Sequence, residues 1–120
     1  MNLVTKIDFL PSHGQSYYSA ECSGYGATYK VSGMERKSSP LRATLAAVTE
    51  GLEEILTKQG KGHKVFVAIE NQRIAEALNE KRSLSQLTVF DADTELWTRY
   101  IEVRSKFALT FAMQGGRTIS

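Results

Sequence analysis

Polar and apolar residues alternate with a period of two along the first third of the chain. Leu3, Thr5, Ile7 and Phe9 fall on one face, and Val4, Lys6, Asp8 and Leu10 on the other, which predicts a strand with one mostly apolar face. Pro11-Ser12-His13-Gly14 then supplies turn chemistry. A second strand is expected from about Gln15 to Cys22. Ser23-Gly24 punctuates before a third, Tyr25 to Val31, rich in aromatic and β-branched residues. The three read as an antiparallel meander.

The period then changes. Ser38-Ser39-Pro40 offers cap-type residues and a proline at the start of a helix. Its apolar positions are Leu41, Leu45, Val48, Leu52 and Ile55, and it is expected to end near Gln59-Gly60. Lys64 to Ile69 is a short apolar run with β-branched residues, the pattern of a buried strand. A short helix from about Gln72 to Asn79 buries Ile74 and Leu78. A polar link follows from Glu80 to Asp91. From Asp93 a second long helix carries Leu96, Tyr100, Val103 and Phe107, with Trp97 and Ile101 widening the stripe. Ala108 to Met113 is the last strand, and Gln114-Gly115-Gly116-Arg117 a closing loop.

Composition narrows the class without choosing a partner. At 120 residues, 42% hydrophobic and 23% charged, the chain is expected to form one globular domain over residues 1–120. Fifteen Lys and Arg against 13 Asp and Glu leave +2, which permits nucleic-acid binding without demanding it. A single cysteine, Cys22, excludes an internal disulfide framework and a thiolate-rich zinc site. No apolar run approaches the roughly 18 residues that span a bilayer, and the N-terminus lacks a signal-peptide core. A cytoplasmic setting is expected.

This order of elements resembles the ribonuclease H type 1 domain, and local sequence sharpens the likeness. Ala43 to Ile55 resembles that family's first helix, and Val67-Ala68-Ile69-Glu70-Asn71-Gln72 its fourth strand. Asp93-Thr94-Glu95-Leu96-Trp97 is similar to the Asp-Leu-Trp opening of its late helix, and Leu109 to Gly116 to its last strand and loop. The resemblance implies an α/β fold with a five-stranded mixed sheet, three antiparallel strands then two parallel ones. Helices would lie mainly on one face, and the C-terminal helix would be missing.

That family's chemistry uses four carboxylates to hold two metal ions about 4 Å apart. The resemblance implies that this chain departs from the set. Leu10 falls where the first aspartate belongs, Thr44 at the glutamate position of the helix, and Glu70 alone is acidic at its matched position. Asp8 shares a face with Leu10 and offers partial rescue. One carboxylate cannot hold two divalent ions, so no catalytic residue, metal or cofactor is expected: the degenerate site positions are Asp8, Leu10, Thr44 and Glu70. Asp91, Asp93 and Glu95 read as helix-start acids that complement the dipole. His13 and His63 read as isolated surface residues, and Trp97 and its stripe as core.

The expected function is therefore that of a pseudoenzyme: a catalytically inactive binding module acting on another protein or on a second copy of itself through an uncovered sheet face. Val65, Val67 and Ile69 alternate there with Phe66 and Ala68, apolar on both sides. Such a stripped-down fold suits a phage or mobile-element protein. Weak nucleic-acid binding is the alternative, through Arg36, Lys37, Ser38, Ser39, Arg42, Gln72 and Arg117, where hydroxyls and cations can meet phosphate. A residual metal-dependent ribonuclease is the third reading. No membrane partner is expected.

Overall fold

The period-of-two segments pair into one sheet. A computed structural model describes residues 2–10, 15–24, 26–36, 40–69, 72–79 and 94–113. In chain order these form β1 (Asn2–Leu10), β2 (Gln15–Gly24), β3 (Ala27–Arg36), α1 (Pro40–Gln59), β4 (Lys64–Ile69), α2 (Gln72–Asn79), α3 (Thr94–Arg104) and β5 (Ala108–Met113). The strands lie in the order β3-β2-β1-β4-β5. The first three pair antiparallel; β1 with β4 and β4 with β5 pair parallel. The expected five-stranded mixed sheet is present, and α1 and α2 lie within a residue or two of their expected places; α3, expected to carry Phe107, ends at Arg104.

Among the strands, the third is the exception. It was expected over Tyr25 to Val31 but runs from Ala27 to Arg36. Gly26, with φ of 76°, is spent in the turn, which delays the start. Ser32 and Gly33 break the β-forming run in the sequence, yet the ladder with β2 continues to Arg36 opposite Gln15. Gly33 survives inside the strand because its cross-strand partner Tyr18 lays its ring across it.

One face of the sheet carries the three described helices. Leu3 and Thr5 of β1 are buried, as are their partners Cys22 and Ala20 of β2. In parallel register, Leu3, Val67 and Phe111 form a row across β1, β4 and β5, and all three are buried. Over this floor α1 buries Leu45, Val48, Leu52 and Ile55, α2 buries Ile74 and Leu78, and α3 buries Leu96, Trp97, Tyr100 and Val103. These positions of the stripes read from the 3.6-residue period are core, while Ile101 and Phe107 are half-buried against it. Gly60, with φ of 83°, stops α1: its N–H donates to the Leu56 carbonyl at 3.1 Å, an αL cap. No described helix is long and apolar enough to cross a membrane.

One polar atom is out of keeping with this core. Thr49 is fully buried on α1, and its hydroxyl has no hydrogen-bond partner among the described residues. Burying a hydroxyl unpaired costs roughly 1–3 kcal/mol, and an isosteric apolar group removes that cost. Thr49→Val is expected to raise stability by about 1 kcal/mol, read as a higher urea midpoint at unchanged slope.

Candidate functional site

Polar residues in the apolar helix-facing layer mark the place where this fold departs from pure packing. Two lie toward one end of the sheet. Thr5 is 1% exposed on β1, with its hydroxyl donating to the Ala68 carbonyl of β4 at 3.2 Å. Thr44 is 2% exposed in the first turns of α1. Helix α1 runs opposite to β1 and β3: Gln59 reaches Tyr29 near the start of β3, whereas Glu50 lies by Ser32. Gly51 sits over Leu3. Thr44, seven residues earlier, is therefore about 10 Å nearer the end of the sheet where β4 finishes.

The register decides what stands level with the end of β4. Leu3 pairs with Val67 and Val4 with Ala68, so one more step sets Thr5 beside Ile69, the last residue of β4. Asp8 is three residues farther along β1, about 10 Å, and Leu10 five, about 17 Å. Among the described side chains of β1, Thr5 is the polar one on the helix-bearing face. The sequence carried a signal for it: Thr5 is the one polar residue in the Leu3, Thr5, Ile7, Phe9 series. The backbone of Asp8 pairs with that of Tyr17, and Leu10 with Gln15 at the hairpin end. Glu70 lies outside the described residues. The described side-chain oxygens here are the neutral hydroxyls of Thr5 and Thr44.

Three of the basic and polar candidates fall on described residues. Arg36 ends β3, Arg42 is half-buried at the start of α1, and Gln72 begins α2. Lys37, Ser38, Ser39 and Arg117 lie outside the described residues, as do His13, Asp91 and Asp93. His63 is half-buried, not free on the surface, with Nε2 at 2.9 Å from the Gln59 carbonyl. Glu95 is exposed in the first turn of α3, where the helix dipole favours it. Cys22 is buried under α1; burial, then the charges of Glu54 and Glu21, push its thiol up to about 11, so it stays protonated.

The sheet face opposite the helices is mixed in character, with apolar residues of the expected uncovered face set among polar ones. Val4 and Phe66 are 44% and 52% exposed, diagonal neighbours on β1 and β4. Tyr17 and Met34 form a second apolar pair, cross-strand partners on β2 and β3. Between and around them Asn2, Glu21, Lys30, Ser32 and Thr110 are exposed, with Glu21 opposite both Val4 and Lys30.

In sequence, no family model and no curated protein matches this chain. Its structure is similar to several solved ones. The protease-reverse transcriptase of prototype foamy virus matches with a TM-score of 0.65 at 16% identity, over 92% of this chain. This chain spans only 17% of that much longer one. The RNase H1 of the halophilic archaeon Halobacterium salinarum matches with a TM-score of 0.61 at 12% identity, covering 94% of this chain and 85% of that one. LC11-RNase H1, solved in complex with an RNA/DNA hybrid, matches with a TM-score of 0.68 at 11% identity and the same coverage. Strand order, mixed pairing and one-sided helices, together with these likenesses, establish that the chain has the ribonuclease H-like α/β fold.

Proposed function

We propose that this chain is a catalytically inactive ribonuclease H-like module, one domain over residues 1–120, that works by binding protein. The observation that carries the loss of catalysis is Thr44, a buried threonine where the resemblance to ribonuclease H calls for a metal-binding glutamate. An RNA/DNA hybrid is expected to stay intact with the protein in magnesium or manganese. Cleavage that disappears in Glu70→Gln would overturn this reading.

Binding is assigned to the open sheet face. A phenylalanine that is 52% exposed forgoes part of the roughly 1.5–3 kcal/mol its burial would supply, and one self-complementary patch serves both chains of a symmetric dimer. Sedimentation at micromolar concentration is expected to show dimer for the wild type and monomer for Phe66→Glu. A strictly monomeric wild type sinks the dimer.

A second reading is nucleic-acid binding, favoured by the RNA/DNA hybrid held by LC11-RNase H1. Here it would run through Arg36, Lys37, Ser38, Ser39, Arg42, Gln72 and Arg117 and rest mainly on phosphate contacts. Raising salt from about 50 to 200 mM would then remove most of it.

A further inference from the structure

The sheet ends at β3, and among the described residues nothing pairs with its outer edge. All ten residues of β3 meet β2 and no other strand. An edge of this length is a ready template for another extended chain unless something blunts it. Lys30 is the described charge on this strand best placed to do so, and it stands opposite Glu21 of β2, which compensates it.

Beside the edge lies a cleft of about 430 Å³, walled by Val31 and Ser32 of β3, Glu50, Glu53 and Glu54 of α1, and Arg99 of α3. Three carboxylates face one guanidinium there, and the guanidinium is already committed. Arg99 holds Glu53 in a two-point pair, Nη2 to one carboxylate oxygen and Nε to the other at 3.4 Å. Glu54 meets Lys58 only at 3.9 Å and in solvent. Glu50 has no ion-pair partner among the described residues. The hydrogen bond from Gln59 Nε2 to the Tyr29 hydroxyl spans from α1 to β3 toward the end of the helix.

We propose that the outer edge of β3 docks an extended basic segment of a partner protein, which joins the sheet as a further strand and sends lysine or arginine side chains into the Glu50–Glu53–Glu54 cleft. An added strand lies about 4.8 Å beyond β3 and alternates its side chains between the two faces. Every second residue then shares the side on which Tyr29 and Val31 pack toward α1, beneath the carboxylate flank of that helix. Main-chain hydrogen bonds supply affinity and the half-exposed carboxylates of the cleft supply selectivity, the usual division in strand addition. The site is separate from the open face around Phe66, so it stands or falls independently of dimerisation there.

The test uses a fluorescent peptide of alternating lysine and valine matched in length to β3, followed by anisotropy with the whole chain. Saturable binding is expected. Glu50→Lys should weaken it about tenfold, while Glu76→Lys, the same charge change on α2, should leave it within about twofold. A peptide with proline at its centre, which removes a ladder donor, should also bind about tenfold more weakly. Circular dichroism checks that each variant folds; if Glu50→Lys does not, Glu50→Gln replaces it, with a smaller loss of about threefold expected. No saturable binding, equal weakening by Glu76→Lys, or full binding of the proline peptide each overturns the proposal.

Discussion

Replacing Gly51 by valine is expected to destabilise the fold by about 3 kcal/mol. Gly51 lies on the buried side of α1, where the helix comes closest to the sheet. A β-carbon there would stand 2.8 Å from Leu3 Cδ1, 3.3 Å from Cys22 Sγ and 3.4 Å from Ala20 Cβ. Two effects compete. Helix propensity favours almost any residue over glycine, by about 1 kcal/mol for alanine, whereas overpacking a close-packed interface costs roughly 1–3 kcal/mol. For Gly51→Ala the two nearly cancel, because the Leu3 methyl is the end of a flexible side chain, and a change within about 1 kcal/mol is expected. Valine adds two methyl groups to the same gap, against residues of β1 and β2 that a neighbouring strand holds on either side. The Cys22 thiol, 3.6 Å from the Gly51 carbonyl, has nowhere to go. Packing then wins over propensity. Urea unfolding of the three proteins is the measurement; a valine variant as stable as the wild type would mean that α1 rides higher on the sheet.

The second large effect is expected at Arg104. Helix α2 has eight residues and no basic residue in its own last turn, so its final carbonyls depend on α3. The Leu78 carbonyl accepts from Tyr100 Oη at 2.7 Å and from Arg104 Nη1 at 2.6 Å, and the Asn79 carbonyl from Arg104 Nη2 at 3.4 Å. Burial pushes the Tyr100 phenol well above its ordinary range, so it remains a donor at any workable pH. The guanidinium also lies 5.8 Å from the Tyr100 ring centre and 5.7 Å from that of Phe111. Arg104→Met keeps the stem and removes the donors, at an expected cost of about 2 kcal/mol. Tyr100→Phe is expected to cost about 1 kcal/mol, because Arg104 still serves Leu78. The double variant should lose more than the two single losses combined, since only then is that carbonyl left with neither donor. Hydrogen exchange provides a second readout: α2 amides should speed up in Arg104→Met before those of α1 do. Additive losses, or unchanged α2 protection, would show that α2 is held by Ile74 and Leu78 alone.

The candidate site was legible in parts that follow one element and illegible where two elements meet. The burial of Thr44 follows one element, because the spacing of apolar residues along a helix carries its own frame. Matching β1 by its neighbours put Leu10 at the first acidic position, with Asp8 as its substitute. The parallel register of β1 on β4, with Leu3 beside Val67 and Val4 beside Ala68, shows only in the fold. That offset cannot be read locally, since two strands separated by sixty residues are aligned only through what packs over them. The same holds for the cleft beside β3, whose carboxylates look like a solvated helix face until Val31, Ser32 and Arg99 arrive from two other elements.

By itself the sequence determined the element types and most of their limits. Strand alternation and the 3.6-residue stripe are local periodicities, and Leu45, Val48, Leu52, Ile55, Leu96 and Tyr100 could be assigned to the core from spacing alone. The tertiary structure decided the length of β3, which outran its own β-forming residues because β2 offered a ladder as far as Gln15. It decided that Phe66 and Val4 face away from the helices while Val65 and Val67 do not, a choice of face that an apolar run on both sides leaves open. It also decided that β3 and β5 are the edge strands of the sheet. Strand order follows from where three helices pack on one face, and burial of that kind depends on the whole chain, whereas periodicity depends only on neighbours.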